Sequence, residues 1–175
     1  MTPEENNHPK LNFDYITGIV KEEVLKNGYY NPSMIIEGTK GALFRSIPVF
    51  SDTPVESMQA MRVAGRQEAK SGEVGQIYQG FVMGKAWMNM PKDSESIKTL
   101  PSQNPNCKEV FVVSRLKIQG QVKNVKLFEM IRNDQGKLVD LQEFLPSMKA
   151  GEMAYVPLLE AFYEGFQNAF RERWN

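Results

Sequence analysis

The chain has 175 residues, 41% hydrophobic and 24% charged, a composition that suits one soluble globular domain with a real core. Lysine plus arginine and aspartate plus glutamate both number 21, so no whole-molecule field steers the chain to nucleic acid or anionic lipid. A single histidine, His8, and a single cysteine, Cys107, leave little material for imidazole catalysis, soft-metal binding or an intrachain disulfide.

Residues 1–11 read as a flexible polar tail with no apolar core of a secretion signal. No apolar run approaches the ~20 residues that span a bilayer. The expectation is a soluble cytoplasmic protein, with residues 12–175 forming one α+β domain. Phe13, Ile16, Ile19, Val20, Val24 and Leu25 recur at helical spacing, which predicts a helix near 12–27. Asn12 or Asp14 supplies its cap, and Asn27-Gly28 its left-handed stop.

Two short β-type runs follow, Met34–Glu37 and Ala42–Val49, joined by the hairpin turn Gly38-Thr39-Lys40-Gly41. Pro48 has no N–H for a ladder, so the second run ends there or lies at an edge. Thr53-Pro54-Val55-Glu56 is a helix start with an N-cap, a first-turn proline and a capping-box glutamate. That helix, near 54–70, has a narrow inner face of Val55, Met58, Met61, Ala64, Gly65 and Ala69.

Gln76–Met88 reads as a long strand with unequal faces. Tyr78, Gly80, Val82, Gly84 and Ala86 make the small face; Ile77, Phe81, Met83 and Trp87 make the bulky one. The small face lets a helix approach closely, and the helix near 54–70 is the expected partner; the alternative is a ligand against the glycine backbone. Residues 89–108 form a long polar loop with Pro91, Pro101 and Pro105, and loops of that length are functional or mobile. A meander follows: Glu109–Ile118, Val122–Arg132 and Leu138–Phe144, turning at Gly120-Gln121 and at Asn133–Gly136. Val110, Phe111, Val112 and Val113 are apolar in succession, the mark of a central strand covered on both faces. After a linker, Leu158, Leu159, Phe162, Phe166, Ala169 and Phe170 form the stripe of an amphipathic helix near 157–173.

Gly84-Lys85 fails as a phosphate loop, because Gln79 stands where a glycine is needed and Ala86 where a Ser or Thr would hold magnesium. Cys107 has Lys108 beside it but no imidazole, since His8 lies in the tail. Glu37, Glu109 and Glu129 sit on or beside strands, where a divalent cation would need them to converge. Arg115, Lys117, Lys123 and Lys126 surround one hairpin, with Phe111 and Phe128 near by, as single-strand binders arrange such residues. Ten methionines is a high count, and Met83, Met88 and Met90 flank Trp87.

Ile36-Glu37-Gly38, Gly80-Phe81-Val82 running to Ala86-Trp87-Met88, Pro101-Ser102-Gln103-Asn104-Pro105, Glu109–Ser114 and Ile131-Arg132 before Gly136 come in a familiar order. Over residues 33–145 the chain resembles a loose group of small prokaryotic proteins of unknown function. There, a strand ending in Ala-Trp leads into a proline-containing loop and a meander. The resemblance implies no activity and no catalytic residue.

The resulting expectation is an α+β fold with a mainly antiparallel sheet of five or six strands. Its bulky face is to be covered by the first helix, the last helix or a second copy in a homodimer, with the last helix as an assembly element. The leading function is non-catalytic binding or assembly, with no cofactor, no metal and no membrane contact. The candidate surface is Met83, Lys85, Trp87, Met88, Met90, Asn104 and Asn106, where a protein or small ligand would meet the 89–108 loop. The alternatives are a hydrolase-like enzyme using carboxylates and a divalent cation, and single-stranded nucleic-acid binding through the basic hairpin; nucleic acid is the least expected partner.

Overall fold

Asn12 opens the first helix, α1 (Phe13–Asn27), because its side-chain oxygen accepts the backbone N–H groups of Asp14 at 2.8 Å and Tyr15 at 3.2 Å. Gly28 closes it at φ 75°, with its N–H on the Val24 carbonyl. The computed structural model describes residues 10–47, 54–89, 107–144 and 155–173. Beyond α1 these hold β1 (Ser33–Gly38), β2 (Gly41–Ser46), α2 (Pro54–Ser71), β3 (Ile77–Asn89), β4 (Cys107–Lys117), β5 (Val122–Arg132), β6 (Leu138–Phe144) and α3 (Val156–Glu172). The expected tail, loop and linker (His8 and the Pro91–Pro105 stretch included) lie wholly or mostly outside the described residues, as do Pro48 at the end of the second β run and the N-cap Thr53.

The strands form one antiparallel sheet in the order β2-β1-β3-β4-β5-β6, within the expected fold class. Hairpins generate nearly every neighbour pair. The exception is β1 beside β3, where α2 intervenes in the chain.

Strand alternation sends two apolar sets to opposite faces. On one, Phe13, Ile16, Val20 and Val24 of α1 pack on Phe81, Met83, Phe111, Val113, Phe128 and Met130. On the other, Met61 and Ala69 of α2 and Leu158, Leu159, Phe162 and Phe166 of α3 join Met34, Ile36, Val82, Val110, Val112, Leu116 and Leu127. The run Val110–Val113 thus alternates between two cores, as a strand covered on both sides must. Of the bulky face, Phe81 and Met83 are covered by α1 of the same chain and need no second copy. Ile77, expected beside them, turns to the α2–α3 core across a register shift against Glu37 and Gly38, and Trp87 stays exposed.

One placement differs from the sequence expectation. The small face of β3 receives α3, not α2. A Cβ on Gly80 would lie 3.1 Å from Leu159 Cδ2, and one on Gly84 would lie 3.0 Å from Tyr155 Oη. Helix α2 instead packs on α3, and the two glycines at their crossing almost bring the backbones together. A Cβ on Gly65 would lie 1.9 Å from the Phe162 carbonyl oxygen, and one on Gly165 would lie 2.0 Å from that of Arg62. The contact is reciprocal, and Arg62 Nε to Glu164 Oε2 at 3.0 Å closes it at the surface. Val55 and Phe170, assigned to inner faces, are 71% and 39% exposed; Phe170 stacks on Phe166 at the end of the α3 stripe.

The start of the chain is also tied down further back than expected. Glu37, only 5% exposed, accepts the backbone N–H groups of Lys10 at 2.6 Å and Leu11 at 3.1 Å. Gln79 Nε2 donates to the same carboxylate at 2.6 Å and to the Leu11 carbonyl at 2.8 Å. A buried carboxylate is tolerated here because three donors converge on it.

Candidate functional site

The register of β3 decides what surrounds Trp87. Pairing with β1 ends at Ser33↔Met83, and pairing of β4 with β5 begins at Val110↔Glu129. The pairs Trp87↔Glu109, Met88↔Lys108 and Asn89↔Cys107 therefore continue as a two-stranded ribbon beyond the sheet among the described residues. Tyr155 seals the root of this ribbon. Its hydroxyl donates to the Lys85 carbonyl at 2.7 Å, and burial pushes its pKa up, so it remains a neutral donor.

Lys85, Trp87 and Glu109 share the α1 face of the ribbon. Trp87 is 41% exposed, with the Lys85 ammonium 5.7 Å from its ring centroid. Lys85 Nζ also lies 3.1 Å from Glu109 Oε1. Arg132 meets the same carboxylate with both ends of its fork, Nε to Oε2 at 2.7 Å and Nη2 to Oε1 at 2.9 Å. The guanidinium also donates to the Gly136 carbonyl at 3.1 Å and the Gly28 carbonyl at 3.4 Å. One arginine thus joins the ribbon, the β5–β6 turn and the end of α1.

These bonds set the charge state of the site. The Arg132 hydrogen bonds, and after them Lys85, hold the Glu109 carboxyl below its usual range against the opposing pull of burial. A depressed carboxylate contributes stability that is present above the unfolded value and is lost as pH falls through the lower folded one. The urea midpoint of Arg132→Met should therefore lie below that of the unsubstituted chain at neutral pH, and the gap should narrow below about pH 4. A gap that stays constant into strong acid would remove Glu109 as the linked group.

The candidate residues named from sequence fall into three groups. Lys85 and Trp87 lie side by side on the ribbon. Met83 is fully buried under α1, and Met88 points to the opposite face, half-buried at the edge of the α2–α3 core. Met90, Asn104 and Asn106 lie outside the described residues. Arg132 was not singled out; an arginine at a strand end before an Asn-Asp-Gln-Gly turn was the available signal, and only register connects it to Glu109.

The acids considered for a cation lie apart. Glu37 sits beneath the start of α1, Glu109 is held by Arg132 and Lys85, and Glu129 pairs with Lys108 at 2.7 Å. Among the described residues no three histidine, cysteine, aspartate or glutamate side chains cluster at metal-binding distance. The basic hairpin is likewise divided. Lys126 pairs with Asp14 at 2.7 Å on the α1 side, whereas Lys123 pairs with Glu160 on the α3 side. Arg115 is spent on Asn124 and on the face of Phe13, while Phe111 and Phe128 are 0% and 2% exposed and offer no stacking surface. Gly84-Lys85 is mid-strand, and Gly38–Gly41 is the hairpin turn. No helix among the described residues is long and apolar enough to cross a membrane.

Fold and ribbon define an α+β domain, a six-stranded antiparallel sheet between helical layers. Comparison with protein families, with curated proteins and with solved structures finds no match to this chain.

Proposed function

We propose that the chain is a non-catalytic binding or assembly protein whose contact surface is the Trp87 face of the β3–β4 ribbon. The observation that carries this reading is a half-exposed tryptophan on a two-stranded ribbon, with Lys85 over its ring and Glu109 opposite it, the carboxylate held in turn by Arg132. Tryptophan and arginine are among the residue types that dominate binding energy at protein contacts. Among the described residues the ribbon has no third strand beyond Lys85, whose carbonyl Tyr155 takes, and a two-stranded edge of this kind suits pairing by a partner. A second copy of the chain is the first partner to consider, met through the ribbon and not through the bulky sheet face. A cytoplasmic setting suits a chain whose lone cysteine forms no intrachain disulfide.

Photo-crosslinking tests the assignment. p-Benzoylphenylalanine placed at Trp87 should give a discrete adduct in the producing cell, and at Val139, 52% exposed on β6, it should not. A mass-identified second copy supports assembly, and another protein supports hetero-binding. Equal labelling at the two positions, or none at 87, would overturn the assignment of this face.

A further inference from the structure

At the far end of the sheet, on the opposite face, a groove of about 470 Å³ runs between α3 and the β4–β5 turn. Gly80, beside it, is seven residues from Trp87 along β3, so the two places are separated by about 20 Å. The volume falls within the ~300–1,000 Å³ range of small-ligand sites. Leu116, Ile118 and the Tyr163 ring supply apolar wall. A second recess of about 110 Å³ opens from the other side of Tyr163, between Ile77 and Phe166.

Two polar residues line the groove from opposite sides, Gln121 and Gln167. Gln121 has φ 48° in the β4–β5 turn, the one non-glycine residue at positive φ among those described. A side chain there costs on the order of 1 kcal/mol that glycine would avoid, and such strain concentrates where a side chain has a task. Across the groove from Gln121, Gln167 lines the wall and its Nε2 donates to Tyr163 Oη at 2.8 Å, which fixes the amide against the ring. Burial raises the Tyr163 pKa, so the phenol stays neutral.

The rim charges are already matched: Lys123 with Glu160, and Glu164 with Arg62. A charged ligand would have to compete with these pairs, whereas a neutral one leaves them intact. Two primary amides over an aromatic wall instead complement a flat group that offers a donor and an acceptor side by side. We propose that this groove is a binding site for a neutral, planar ring compound bearing a carboxamide or lactam edge, read by Gln121 and Gln167 with the ring against Tyr163. The site is independent of the Trp87 surface.

Benzamide is the probe, titrated into the full ¹⁵N-labelled chain while the side-chain amide resonances are followed. Saturable shifts at Gln121 and Gln167 are expected, with benzoate and benzylamine shifting both less. Gln167→Leu, which keeps the apolar wall, should weaken benzamide about five- to tenfold, the worth of one or two hydrogen bonds. Ile118→Trp, which fills the groove, should abolish the shifts; if it fails to fold, Gln121→Leu serves in its place with the same five- to tenfold loss expected. Unmoved Gln121 and Gln167 resonances, equal response to the charged probes, or unchanged affinity in Gln167→Leu would each overturn the proposal.

Discussion

Gly65→Ala should lower the unfolding free energy by about 3 kcal/mol or more, and Gly165→Ala by a similar amount. Each added methyl would fall about 2 Å from a backbone carbonyl oxygen of the other helix, and backbone does not step aside as a flexible side chain does. The helices would have to separate, and Leu159, Phe162 and Phe166 would lose contact with the sheet beneath them. Because both substitutions force the same separation, the double variant should cost less than the two losses added. Gly18→Ala is the internal control. Its site is open and helical, so alanine there should be neutral or stabilise by up to ~1 kcal/mol. Chemical denaturation at fixed pH measures all four, and a loss under ~1 kcal/mol for Gly65→Ala would show that the crossing is looser than described.

Glu37→Leu should cost about 3 kcal/mol. Leucine matches the carboxylate in size but strands the Lys10 and Leu11 N–H groups and one of the two N–H groups of the Gln79 amide, whose carbonyl oxygen makes no hydrogen bond among the described residues. The first consequence should be local, because these bonds hold the chain where it enters α1. Amide hydrogen exchange at Lys10 and Leu11 should accelerate well beyond what the global loss explains. If exchange at those two amides follows only global unfolding, Glu37 is not what anchors them. Glu37→Gln keeps acceptor and shape at one oxygen and should recover part of the loss.

The elements were legible because their signals are local. Asn12 and Gly28 bracket α1 by capping chemistry, and the turn residues after Gly38, Ile118 and Arg132 punctuate the strands. The two-sided burial of Val110–Val113 followed from composition alone. What escaped was the identity of partners. Both α2 and α3 carry stripes of small residues, and the sequence reading noticed only the one in α2. Ala161, Gly165 and Ala169 recur every four residues, which was the available signal that α3 presents a second face. The candidate site was half legible for the same reason. Trp87 and Lys85 were selected by type and position. Register alone brings Glu109 opposite Trp87, and Arg132 reaches that carboxylate from β5, so no spacing within one segment reveals the cluster. Met83 was misplaced because a methionine beside an exposed tryptophan reads the same whether it faces a core or a partner.

The crossing of α2 and α3 also has a consequence for how the chain is made. Arg62 and Glu164 are 102 residues apart, so the layer over one side of the sheet is completed only when α3 has followed the strands it covers. The β3–β6 meander can zip locally as it emerges, and α1 can cover its own side early. Val82, Val110, Val112 and Leu127 must wait, along with the inner face of α2, until Val156–Glu172 arrives. A chain cut short before Val156 would leave that side of the sheet without its α3 cover, and exposed apolar surface of that kind is prone to aggregate.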